Sequence, residues 1–211
     1  MKRHNRLLRN IAVGIGLSLL VAQDPFVLDS AGTGSITQSI ANSIQISDIN
    51  NDGVNDIILS GYDSTRFGVF LDVMLGSSDG SLSQGYQTNF NTYPDTIAEY
   101  LGGIGGVDLA DVNRDGWMDL YLTGSALSKL YLNSSGSFNV SSNLPSMSLT
   151  YSDGKWGDVN MDGAPDLFVM GVTSSDQILN ELYINNDTSL DEDLTTIFPS
   201  LFNGNSSWGD Y

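Results

Sequence analysis

Three nine-residue segments carry side-chain oxygen at matching places: Asp48-Ile-Asn-Asn-Asp-Gly-Val-Asn-Asp56, Asp111-Val-Asn-Arg-Asp-Gly-Trp-Met-Asp119 and Asp158-Val-Asn-Met-Asp-Gly-Ala-Pro-Asp166. All fit D-x-N-x-D-G-x-x-D. Carboxylate or amide oxygen stands at positions one, three, five and nine, and glycine at six allows the positive φ of a tight turn. Hard cations such as Ca²⁺ take about six to eight oxygens at ~2.3–2.6 Å. The pattern meets that demand when the position-seven carbonyl is added, so Val54, Trp117 and Ala164 are free to differ there. Pro165 restricts Ala164 to extended backbone, compatible with presenting a carbonyl. Three carboxylates within one such loop repel strongly unless a divalent cation offsets them. Two other helix-flanked calcium modules open in the same way. An EF-hand needs Glu at position twelve, where this chain has Leu59, Leu122 and Val169; a dockerin-type module runs into a helix. A metal-free Asx turn would need fewer of these residues.

Other chemistries are closed off by composition. The chain has no Cys, and its one His is His4. Ser-His-Asp and Cys-His catalysis therefore cannot be assembled, and zinc, copper and haem sites lack their usual ligands. Neither disulfides nor a lipidated cysteine can form. The net charge is −17, with 25 acidic residues against 8 Lys and Arg. A surface so acidic repels phosphate backbones and anionic membranes, so nucleic acid is not an expected partner. Only three of the acids are Glu (Glu99, Glu181, Glu192), a skew toward short carboxylates that solubility alone does not require.

The elements that must position these loops repeat with them. Each loop is followed by an apolar run, Ile57-Ile58-Leu59, Leu120-Tyr121-Leu122 or Leu167-Phe168-Val169, and two residues later by Gly61, Gly124 or Gly171. A continuous apolar run of this length predicts a strand buried on both faces. Ser43 to Ser47 alternates, with Ile44 and Ile46 on one face, and further strands are expected at Val73–Leu75, Leu130–Leu132 and Leu182–Ile184. Trp208-Gly209-Asp210 matches Trp156-Gly157-Asp158 and opens a fourth copy at 210. The starts at 48, 111, 158 and 210 lie 63, 47 and 52 residues apart, which suits a four-stranded propeller blade. Residues 95–101 read as a surface insertion in the longest period. The expected fold is thus all-β, with blades of four-stranded antiparallel sheets and about three and a half repeats over residues 23–211, an incomplete propeller. Such a piece expects the remainder of the ring in a longer chain.

Residues 1–22 read as a secretory signal peptide. Lys2, Arg3, Arg6 and Arg9 precede an uncharged apolar run from Ile11 to Ala22, too short to span a bilayer. The expected location is secreted, at the cell surface or in the periplasm, with no membrane span after cleavage.

Loop, buried strand and glycine together resemble the FG-GAP/VCBS repeats of large secreted bacterial proteins and are similar to the integrin α N-terminal propeller. The resemblance covers about residues 40–211. It implies that Asp48, Asn50, Asp52 and Asp56, then Asp111, Asn113, Asp115 and Asp119, then Asp158, Asn160, Asp162 and Asp166 are Ca²⁺ ligands, giving about three sites. The Phe-Gly pair expected before each loop is absent, and Phe67-Gly68 lies elsewhere. The functional expectation is a non-catalytic adhesion or binding module for an extracellular protein or carbohydrate, with Tyr62, Phe90, Tyr93 and Tyr100 as candidate contacts. The alternatives are the propeller portion of a secreted polysaccharide-degrading enzyme, or a scaffold repeat for another domain.

Overall fold

The computed structural model describes residues 40–63, 68–85, 104–124, 127–144, 147–187 and 189–209. The leader over 1–22, the insertion over 95–101, the aromatics Phe90, Tyr93 and Tyr100, and the loop start at Asp210 lie outside them, as does the side chain of Tyr62.

Among the described residues, twelve strands form three four-stranded antiparallel sheets, each in chain order. Blade 1 holds β1 (Ile40–Ser47), β2 (Asp56–Asp63), β3 (Gly68–Gly76) and β4 (Leu82–Gln84). Blade 2 holds β5 (Ile104–Ala110), β6 (Asp119–Gly124), β7 (Leu127–Ser134) and β8 (Ser137–Val140). Blade 3 holds β9 (Leu149–Gly157), β10 (Asp166–Thr173), β11 (Ile178–Asn185) and β12 (Leu190–Glu192). Among the described residues there is no α-helix, and no helix long and apolar enough to cross a membrane. Among the described residues the fold is all-β, three four-stranded blades of the propeller type.

The three apolar runs are the second strands, each flanked by the first and third strands of its own blade. Ile57, Ile58, Leu59, Leu120, Tyr121, Leu122, Leu167 and Val169 are all buried. First strands pack side by side, β5 against β1 and β9 against β5. A polar seam sets their alignment: Gln45 Nε2 donates to Val107 O (2.8 Å) and to Asp108 Oδ1 (2.9 Å). From the other side Lys155 Nζ pairs with Asp108 Oδ1 at 3.1 Å and the Trp156 amide donates to Asp108 Oδ2 at 2.9 Å.

The repeat glycine has a physical role. In each blade the pairing of first and second strands slips once, between Ala41 and Ser43, Ile104 and Val107, and Met170 and Val172. Gly61 and Gly124 pair beside the slip, and Gly171 falls within it, with Ser152 Cβ only 2.7 Å from where a side chain would begin. The bulge bends each first strand where it meets the neighbouring blade.

Ile44 and Ile46 do not share one environment. Ile44 packs on the blade core, whereas Ile46 is 59% exposed. The reason lies in the blade stacking. The residue two before each loop faces the second strand of the preceding blade: Trp156 meets Tyr121 edge-on, with centroids 6.2 Å apart at 82°. Trp208 meets Phe168 in the same way, at 6.5 Å and 84°. No described blade precedes Ile46.

Candidate metal-binding loops

Each loop joins the first strand of its blade to the second, at one end of the blade. The loop backbone is folded by its own side chains. In loop 1, Asp48 Oδ1 accepts the amide of Asp52 (3.1 Å) and Oδ2 that of Gly53 (2.8 Å), while Asn50 Oδ1 also accepts from Asp52 (3.0 Å). Asp52 Oδ1 accepts from the Val54 amide (2.8 Å), and Asn50 Nδ2 donates to Asp52 Oδ2 (3.0 Å). Loop 2 repeats the set with Asp111, Asn113, Asp115, Gly116 and Trp117. Loop 3 repeats it with Asp158, Asn160, Asp162, Gly163 and Ala164.

Two positions in each loop are left-handed. Position six is the expected glycine, with φ of 85°, 87° and 86° at Gly53, Gly116 and Gly163. Position four is a residue the sequence did not single out: Asn51, Arg114 and Met161 have φ of 56°, 56° and 60°. Side chains pay for that conformation, so the five loop hydrogen bonds must hold it. No residue type recurs at position four, which is why the pattern of letters does not show it.

The ninth position has a distinct environment. Asp56, Asp119 and Asp166 are fully buried. Each carboxylate accepts one amide from position two of its own loop and one from the third strand. For Asp119 these are Val112 N (3.0 Å) and Asn133 N (2.7 Å). For Asp56 they are Ile49 N (2.9 Å) and Gly76 N (2.8 Å), and for Asp166 Val159 N (2.9 Å) and Asn185 N (2.8 Å). This aspartate pins the loop to the sheet. Burial pushes the Asp119 carboxyl up to about 6 and raises that of Asp56, against the pull of those amides. At the exposed Asp162 the balance is reversed, because the Ala164 amide and Asn160 lower its carboxyl.

Three acidic side chains are not gathered into one cluster in any loop of the described residues. The ninth carboxylate is directed to the two backbone amides, leaving the carboxylates of positions one and five beside the amide of position three. The donors still fit a hard cation. All are oxygens, and a carboxylate has about four lone-pair sites, of which the hydrogen bonds above occupy two. Val54, Trp117 and Ala164 each follow a left-handed glycine, on the closing limb of the loop.

The loops also touch one another. Asn51 Nδ2 donates to Gly116 O at 3.0 Å, and Arg114 forms an ion pair with Asp187 beyond β11. Position four of one loop thus reaches the next blade in both cases.

The sequence pattern of the FG-GAP-like repeat matches residues 48–122 and 111–169, together more than half of the chain. No curated protein matches the chain.

Proposed function

The chain belongs to the FG-GAP-like repeat family, and on that premise we propose that it is a secreted, calcium-binding propeller module with a binding rather than a catalytic role. The observation that carries this reading is one hydrogen-bond pattern, repeated in three loops that differ from one another at positions four, seven and eight. A turn of that shape needs two or three such residues; an all-oxygen set of four side chains in every copy suits Ca²⁺. In each site the proposed ligands are positions one, three, five and nine with the carbonyl of position seven. Bound cations would offset the repulsion within loops of a chain carrying −17. The ligand of the module would be an extracellular protein or carbohydrate, met by loops at the rim. Residues 1–22 would direct export and be removed.

The test is calorimetric. Titrating Ca²⁺ into chelator-treated protein is expected to give three binding events per chain and to raise Tm, with Mg²⁺ far weaker. No heat and no change in Tm at millimolar Ca²⁺ would overturn the calcium reading. N-terminal sequencing of protein exported by a bacterial host checks the leader, with the mature chain expected to begin near residue 23.

A further inference from the structure

Loops 1 and 2 are joined at two levels. At the base, the buried Asn133 near the end of β7 donates through Nδ2 to Ile49 O, position two of loop 1, at 2.8 Å. The same amide donates to Met118 O, position eight of loop 2, at 3.1 Å. At the exposed rim, Asn51 Nδ2 donates to Gly116 O at 3.0 Å. Between loops 2 and 3, among the described residues, the base contact recurs and the rim contact does not. Asn185 Nδ2, at the end of β11, donates to Val112 O (2.8 Å) and Pro165 O (3.2 Å), which hold the same two places. Arg114, at position four of loop 2, pairs instead with Asp187, outside loop 3. Met161, at position four of loop 3, is a thioether with no proton to donate.

The rim contact joins two residues that are each bracketed by proposed ligands. Asn51 lies between Asn50 and Asp52, and Gly116 lies between Asp115 and Trp117, the latter a ligand through its carbonyl. Asn51 is left-handed, with φ of 56°, a conformation that is costly for a residue with a side chain. Whatever holds positions three and five of loop 1 also holds that turn, and so delivers the Asn51 amide to loop 2. There it fixes the peptide from Gly116 to Trp117, whose N–H is given to Asp115 Oδ1 at 2.9 Å. That peptide leads directly into the Trp117 carbonyl. The buried base contact sets the spacing of the two loops, and the rim contact adds a link from one ligand set to the other.

We propose that Asn51 couples the two sites, so that an occupied loop 1 favours occupation of loop 2 by Ca²⁺ through this one bond. By linkage, an occupied loop 2 favours loop 1 to the same degree. The proposal rests on the calcium reading given above. The matching residues of loops 2 and 3 supply no such bond, so this coupling is confined to the first pair.

The test is a double-mutant cycle on the full chain, read by NMR with the Trp117 indole N–H reporting loop 2. Asp48→Asn with Asp52→Asn disables loop 1. That change is expected to raise the Kd of loop 2 for Ca²⁺ more in the native background than beside Asn51→Gly. The excess should be about two- to tenfold, the worth of one hydrogen bond. Glycine keeps the left-handed backbone and removes only the donor. Asn51→Asp, which also tolerates that backbone, should behave as Asn51→Gly does. In metal-free buffer Asn51→Gly should shift the Trp117 amide resonance, because that N–H shares its peptide with Gly116 O, while the matching Ala164 amide stays in place. An unmoved Trp117 amide overturns the link. An equal loss of loop 2 affinity in both backgrounds, with Ca²⁺ still bound, overturns the coupling alone. No Ca²⁺ binding at either loop overturns the calcium reading and the coupling together.

Discussion

Arg114, held left-handed at position four of loop 2, forms an ion pair with Asp187 of blade 3. Its Nη1 also stands 4.0 Å from where Gly163 of loop 3 would carry a Cβ. A fixed cation therefore sits beside the third loop, while Asn51 occupies the same position beside the second. Two otherwise matching loops differ in their electrostatic surroundings.

That difference predicts graded affinity. Loop 3 should bind Ca²⁺ more weakly than loop 2, because Arg114 repels the incoming ion. Arg114→Gln is expected to tighten loop 3 by about two- to fivefold, in line with ~0.2–1 kcal/mol for exposed charge pairs. Calorimetry resolving the individual sites, at low salt, checks it.

Asp119→Asn should cost more than Asp115→Asn in metal-free buffer. An asparagine at 119 would turn its NH₂ toward a backbone amide that now donates to a carboxylate, leaving a buried donor unpaired at about 1–3 kcal/mol. Asp115 is exposed, and its loss should change stability by less than about 1 kcal/mol. Urea unfolding of both variants makes the comparison.

The metal-free protein should become more stable on acidification from pH 7 to pH 5. Asp119 has its carboxyl raised to about 6 in the fold, against ~3.9 when unfolded. The folded state binds the extra proton, so stability is present below that window and is lost as pH rises through 6. Groups lowered in the fold, such as Asp193 at about 2, contribute above the unfolded value and lose their contribution only at lower pH. With saturating Ca²⁺ the trend should reverse, since protons then compete with the ion. Thermal melts over pH 5–7 with and without Ca²⁺ read both signs.

One substitution at two glycines separates two mechanisms. At Gly53 an added methyl meets nothing within 4 Å, but φ is 85°, so Gly53→Ala should cost about 1–2 kcal/mol through backbone strain. At Gly106 the methyl would strike Asp153, which must stay in place to hold Ser206. Gly106→Ala should cost at least as much and should also release the 203–209 segment, seen as a shift in Trp208 fluorescence.

The parts legible in the sequence are those where one residue type is the only solution. Gly53, Gly116 and Gly163, the apolar second strands and the glycines opposite the bulge all repeat as letters. Ile104–Ala110 and Leu149–Gly157 escape notice as strands because Gly105, Gly106 and Asp153-Gly154 break their alternation. Those residues answer to the neighbouring blade, not to their own sheet. Asn133 and Asn185 fall just past the strands expected at Leu130–Leu132 and Leu182–Ile184, and their role depends on carbonyls 84 and 73 residues away.

Those separations bear on how the chain comes off the ribosome. Loop 1 is made early, yet the amide that closes over Ile49 arrives only with Asn133. Loops 1 and 2 are thus each completed by sequence translated more than a blade later. A nascent chain stalled between residues 76 and 133 would hold loop 1 formed but unsealed, and blades would mature one step behind synthesis.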